Sequence, residues 1–160
     1  MMFKHVVFVI CAVLFADKCA TEEPSTGIVA FFANIKAHRQ YAANDIVKFD
    51  NVVTNEGNAY NQATGIFTAT KSGLYVFHFS FLSLKNSFFL FDLVQNNEIL
   101  ATAFEYVPTS HGQGGNSVIV NLKSGDQVYV KAKDPSSIYS DIDRPYATFS
   151  GYSLSAFNSC

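Results

Sequence analysis

From Tyr75 to Leu82 the chain reads Tyr-Val-Phe-His-Phe-Ser-Phe-Leu, an aromatic ring at every second position as far as Phe81. Side chains of an extended strand alternate between two faces, so Tyr75, Phe77, Phe79 and Phe81 share one side and Val76, His78, Ser80 and Leu82 the other. On a helix the same rings would be scattered around the circumference. A strand with so large an apolar face needs a second layer to cover it. The preceding stretch, Thr54 to Gly65, carries Gly57, Asn58, Asn61 and Gly65, which accept positive φ or hydrogen-bond their own backbone, and so predicts turns. A short strand from Ile66 to Thr70 then reverses at Lys71-Ser72-Gly73 into the ring-bearing segment.

The same grammar continues in both directions. Ile28 to Ile35 and Phe49 to Thr54 read as strands, and Ser87 to Gln95, dense in Phe88, Phe89, Leu90, Phe91 and Leu93, reads as a strand covered on both faces. Asn96-Asn97 makes a tight connection to Glu98 to Val107. The segment Phe104 to Asn116, with Gly112, Gly114 and Gly115, reads as a loop. Val118, Val120 and Leu122 share one face. After the turn Lys123-Ser124-Gly125-Asp126, so do Val128, Val130 and Ala132, with Tyr129, Lys131 and Lys133 opposite. Tyr146 to Phe157 is the last strand. No convincing amphipathic helix exceeds two turns, so the chain is expected to be all-β, a sandwich or jelly roll.

The 160 residues fit one domain and a leader. Lys4 and His5 precede Val6 to Ala16, an apolar run of the length of a signal-peptide core, about 7–15 residues, and too short to span a bilayer. Residues 1–20 are therefore expected to direct secretion, with cleavage after Ala16 or after Ala20, followed by a linker at 21–27 and a globular domain at 28–158. No later segment is expected to insert in a membrane. Of three cysteines, Cys11 leaves with the leader. A cut after Ala16 leaves Cys19 and Cys160 to pair within or between chains, whereas a cut after Ala20 leaves Cys160 alone. A net charge of −2 with no Lys/Arg stripe argues against nucleic acid as a partner.

Phe49, then Asn55 after five residues, Tyr60 after four, Phe67 after six and Gly73 after five, continuing as Gly73-Leu74-Tyr75-Val76-Phe77-His78-Phe79, resembles the spacing signature of the complement C1q globular-domain family. Gly125-Asp126-Gln127-Val128-Tyr129-Val130 resembles a further strand of that family, Phe149 to Leu154 its closing strand, and Ile28 to Phe32 its opening one. The resemblance implies a jelly roll of about ten strands, related to the tumour-necrosis-factor ligands and assembling as a homotrimer. Many relatives carry a collagen-like stalk. The linker Thr21 to Thr26 has no Gly-X-Y repeat, so the resemblance is to the stalkless secreted type.

No nucleophile elbow, His-Glu-x-x-His, Cys-x-x-Cys or Walker loop is present, and the chain is read as a binding protein, not an enzyme. Binding candidates fall in three separate segments: Lys36, His38, Arg39 and Tyr41; Tyr106, Thr109, His111 and Gln113; Tyr139, Asp141, Asp143 and Arg144. Rings beside hydrogen-bonding groups suit sugars, and Arg or Lys suits a carboxylate. No cofactor is required. Relatives hold calcium near the apex through acidic side chains; here Glu105 stands without an Asp in its segment, and Asp141 and Asp143, at i and i+2, are the calcium candidates. The function expected is lectin-like pattern recognition in innate immunity, with microbial or cell-surface glycans as partners. The alternatives are a matrix trimerisation module and a TNF-like receptor ligand.

Overall fold

The computed structural model describes residues 27–156. The leader, the linker to Thr26, the three cysteines and the chain beyond Ala156 lie outside the described residues. Twelve strands follow in order: β1 Ala30–Ile35, β2 Arg39–Tyr41, β3 Asn51–Glu56, β4 Tyr60–Asn61, β5 Ile66–Thr68, β6 Gly73–Ser83, β7 Phe88–Gln95, β8 Glu98–Tyr106, β9 Gln113–Leu122, β10 Gln127–Ala132, β11 Ser136–Tyr139 and β12 Ala147–Ala156. They form two antiparallel sheets. One has the order β2-β11-β6-β12-β1-β3 with β9 on the other edge of β6, and the second runs β4-β5-β10-β7-β8.

Phe77, Phe79 and Phe81 are buried between the sheets with Phe31, Phe49, Phe67, Phe89, Phe91 and Phe149, as the alternation of β6 requires. The rings interlock edge to face and offset: Phe67 lies 5.1 Å from Phe77 and Phe31 lies 4.9 Å from Phe149, centroid to centroid, both near perpendicular. β7 is closed on both sides, Phe89, Phe91 and Leu93 toward the core and Asp92 and Val94 buried on the other face.

The family-like spacing has a physical basis. Asn55 accepts from the Tyr60 amide at 3.1 Å and donates to the Tyr60 carbonyl at 2.9 Å, clamping the turn between them. The Tyr60 hydroxyl in turn accepts from the Phe49 amide at 3.1 Å and donates to its carbonyl at 3.3 Å. Phe49 thus sits just before β3, held by a side chain in place of a strand ladder. The Tyr60 ring stacks on Phe31 at 4.7 Å. Burial, opposed by the bond to the Phe49 carbonyl, pushes the Tyr60 phenol up to about 12. Tyr60→Phe should cost about 1–3 kcal/mol, because it leaves two buried backbone groups of Phe49 without partners. A folded-state pKa above the unfolded value contributes stability that is complete below pH 10 and lost as pH rises through about 12. Denaturant titrations across that window should show the wild type losing about 2 kcal/mol more than Tyr60→Phe; parallel pH profiles would contradict this role.

The Lys123–Asp126 turn is built the same way. Asp126 accepts from the Lys123 amide at 2.9 Å, from Asn96 at 3.2 Å and from Gln95 at 3.0 Å, which hold its carboxyl below the usual range. Gly125, at φ 93°, supplies the left-handed residue that closes the turn.

Two expectations are corrected. The segment Phe104 to Asn116 is not one loop, since β8 runs to Tyr106 and β9 begins at Gln113, leaving only 107–112 between them. Gly114 and Gly115 lie inside a strand: a Cβ on Gly115 would stand 2.4 Å from the Phe79 carbonyl oxygen, so close approach of neighbouring backbone, and not turning, accounts for glycine there. The segments holding Arg39, Tyr41 and Tyr139 are strands, β2 and β11, pairing through Ser136–Tyr41 and Ile138–Arg39. With these and the two-residue β4, the described residues hold twelve strands where about ten were expected.

Candidate functional site

At one end of the sandwich the β1–β2 connection, the β8–β9 connection and the end of β11 meet. The rings of His38 from the first and His111 from the second lie 4.4 and 4.6 Å from that of Tyr139, centroid to centroid, and the Tyr146 ring lies 5.8 Å from it. Both histidines are exposed and both tyrosines half-buried. Three segments far apart in sequence therefore build one aromatic platform.

Buried serines fix its geometry. Ser140 donates its hydroxyl to the Ile35 carbonyl and accepts from the Tyr146 amide at 3.1 Å. Its own amide donates to His38 Nδ1 at 3.2 Å. Nδ1 must then be the acceptor, so neutral His38 carries its proton on Nε2. His111 is the reverse: Nδ1 lies 2.7 Å from the Ser83 carbonyl and donates to it, so in the neutral ring Nε2 is the acceptor. Ser83 also holds Gly112 through both its amide and its hydroxyl, at 2.8 and 2.9 Å. With both rings neutral, the platform thus offers a donor and an acceptor beside a phenol ring.

The remaining candidates divide. Lys36 and Arg144 are exposed and have no ion pair among the described residues. Arg144 lies in the turn in which the Asp141 amide donates to its carbonyl at 3.3 Å, in the segment joining Tyr139 to Tyr146. Asp141 uses one carboxylate oxygen to accept from the Asp143 amide at 3.1 Å, and no group of three or more His, Cys, Asp or Glu able to hold a metal occurs among the described residues. Arg39 leaves the cluster. It pairs with Asp50 at 2.9 Å and, with Tyr41, lines a separate trough. Tyr106, half exposed at the end of β8, makes no ring contact with the platform, and Gln113 donates to Ser80 at 3.1 Å on the face of the large sheet.

That sheet face carries a feature the candidate segments did not include. Pairing registers align Ala30, Tyr152, Val76 and Ile119 in one row across β1, β12, β6 and β9, all pointing away from the core. The next row is Phe32, Ser150, His78 and Ser117. Ile119, Tyr152 and Phe32 are 67%, 41% and 37% exposed, and Leu154 of β12 adds 51%. His78 stacks near Tyr152 at 6.2 Å and shares a 2.7 Å hydrogen bond with Ser117. Several exposed apolar side chains on one sheet face are characteristic of a protein contact.

The family model "C1q domain" matches residues 30–154. Complement C1q tumor necrosis factor-related protein 2 of Mus musculus is 32% identical over 85 residues, covering 53% of this chain and 29% of that protein. Caprin-2 of Danio rerio is 33% identical over 111 residues, 68% of this chain and 12% of that protein. The chain thus spans about a third or less of the length of these relatives. Among solved structures, the globular domain of zebrafish complement 1qA matches with a TM-score of 0.61 at 18% identity, over 81% of this chain and 98% of that one. Eiger TNF from S. frugiperda matches at 0.62 and 13% identity, over 82% and 94%. The jelly-roll fold is therefore common to C1q and TNF proteins, and the chain belongs to the C1q domain family.

Proposed function

We propose that the chain is a secreted recognition module that assembles as a trimer through the outer face of the large sheet and holds microbial or cell-surface glycans at its apex. The observation that carries this reading is the convergence of His38, His111 and Tyr139 from three segments onto one exposed platform. The tyrosine ring offers a surface for the C–H face of a sugar, and the two imidazole edges offer one donor and one acceptor for its hydroxyls. Lys36 and Arg144, in the adjoining segments, suit a carboxylate such as that of a sialic acid.

One such platform binds weakly. Three on a rigid trimer raise the avidity by about 10²–10⁴ where the spacing of the target permits simultaneous contact. No bond need be made or broken. The exposed apolar side chains of Ile119, Leu154, Tyr152 and Phe32 on this face support self-association, in keeping with membership of the C1q family. No helix among the described residues is long and apolar enough to cross a membrane, and the expected leader supports secretion.

A glycan array probed with the secreted protein tests the reading. Saturable signal is expected, falling about tenfold or more in Tyr139→Ala and Arg144→Ala while the oligomeric mass is unchanged. A blank array would overturn it, with reductant-released insoluble material pointing instead to a matrix role. Saturable binding to host cells that survives the apex substitutions would point to a receptor ligand.

A further inference from the structure

A further concavity lies away from the apex. It is an open trough of about 910 Å³ between β2, the 42–50 connection and the 61–65 turn, lined by Arg39, Tyr41, Asn44, Lys48, Gln62 and Ile66 among others. That volume lies within the range of about 300–1,000 Å³ usual for small-molecule sites.

Its walls are fixed in advance. The Asn44 and Val47 amides donate to the carbonyls of Ala132 and Val130 at 2.8 and 2.9 Å, and the Ala132 amide donates back to Asp45 at 2.9 Å, stitching the 42–50 connection to β10. Asp45 accepts from the Ala42 amide at 2.8 Å. The opposite wall turns at Gly65, at φ 79°, where a Cβ would stand 2.4 Å from the Val47 carbonyl oxygen. Backbone packs directly on backbone there, and only glycine fits. The backbone beneath the lining side chains is thus already in place when a ligand enters.

The chemistry left facing the trough is specific. Arg39 is held by Asp50 at 2.9 Å. Tyr41 is packed edge-on against Phe91 at 5.5 Å, and its phenol is pushed up by burial, so it stays neutral. By contrast Gln40, Asn44, Lys48 and Gln62 line the trough with side chains that have no hydrogen-bond partner among the described residues. The charged lining residues are two cations, Arg39 and Lys48, and two anions, Asp45 and Asp50, so the net charge is zero. Arg39 is taken up by Asp50, and the two carboxylates Asp45 and Asp50 share the lining with Lys48, so the trough holds no net positive charge to favour a carboxylate or phosphate over an uncharged ligand. Side-chain amides both donate and accept, as sugar hydroxyls do, while Ile46 and Ile66 give an apolar floor for C–H surface.

We propose that this trough is a second binding site, selective for uncharged saccharides of two or three units and independent of the apex. It shares a ligand family with the apex reading but no residues, so each can fail without the other. The test is a titration of the ¹⁵N-labelled secreted protein, followed by amide resonances, with chitotriose, maltotriose and mannotriose, and with sialyllactose as the anionic comparison. At least one neutral sugar should give saturable shifts of the Gln40, Asn44 and Gln62 side-chain amides, without moving His38, His111 or Tyr139. Gln62→Ala, at an exposed turn position, should weaken that binding about tenfold, and Ala63→Trp, which fills the trough, should abolish it with the rest of the spectrum intact. Trough resonances that stay still for all three neutral sugars at concentrations on the order of 10 mM, above the Kd of a weak single site, would overturn the proposal. So would shifts there with sialyllactose alone, or with a short peptide and no sugar. Apex shifts with sialyllactose alongside a silent trough would sink this inference and leave the apex reading standing.

Discussion

Replacing Phe77 with alanine is expected to lower the stability of the fold by about 3–5 kcal/mol, read as a fall in the chemical denaturation midpoint. Its ring has no exposed surface and lies 5.1 Å from Phe67, 6.1 Å from Phe149, 6.3 Å from Tyr75 and 6.4 Å from Phe31, so truncation opens a cavity that none of these rings can close by rotating alone. Gly151 adds an internal control. A Cβ there would lie 2.4 Å from Phe77 Cδ1 and 2.9 Å from Phe31 Cε1. Gly151→Ala should therefore cost about 1–3 kcal/mol in the wild type through overpacking, and less in the Phe77→Ala background, where the closest clash is gone. Additive costs, or a midpoint unmoved by Phe77→Ala, would mean that this ring is not the centre of the core.

The second large effect belongs to the sheet face. Ile119→Asp is expected to convert the proposed trimer to single chains, raising the dissociation constant about a hundredfold or more, because each copy would carry an unpaired carboxylate into a desolvated contact. In one chain Ile119 is 67% exposed, so the same change should leave the circular dichroism of the β-sandwich and its unfolding cooperativity close to wild type. Scattering mass and far-ultraviolet spectrum taken on the same sample separate the two effects. Loss of the fold along with the mass, or retention of the wild-type mass, would exclude this row of residues as the contact.

The all-β sandwich was legible because alternation is a two-residue pattern: Tyr75 to Phe81 and Val128 to Ala132 announce their buried faces with no knowledge of what covers them. The spacing of Phe49, Asn55 and Tyr60 was legible as a resemblance, and its cause emerged only in three dimensions, as the reciprocal clamp of Asn55 on Tyr60 and Tyr60 on Phe49. Gly114 and Gly115 misled, since a glycine required by close backbone approach looks in sequence like one required by a turn.

The site was legible only in fragments. His38, His111 and Tyr139 stand in three separate segments, and nothing local says that the strand pairing of β11 with β6 and the Ser83–Gly112 bonds bring them together. Arg39, next to His38 in sequence, faces another surface because neighbouring residues of an extended chain point to opposite sides. Asn44, Lys48 and Gln62 carry no sequence signal at all, being ordinary polar loop residues whose meaning comes from the concavity they border. Tyr152 and Ile119 were hidden for a similar reason, since an apolar residue on an outer sheet face has the same alternation as one facing a core.

The outer face of the seven-stranded sheet is proposed to join copies of the chain and to leave the His38–Tyr139–His111 end open to solvent. Sedimentation equilibrium of the secreted wild-type protein at micromolar concentration tests it most directly. The expected result is a single species of three chain masses that dissociates on dilution without losing β-structure; a folded species of one chain mass across the whole concentration range would contradict it.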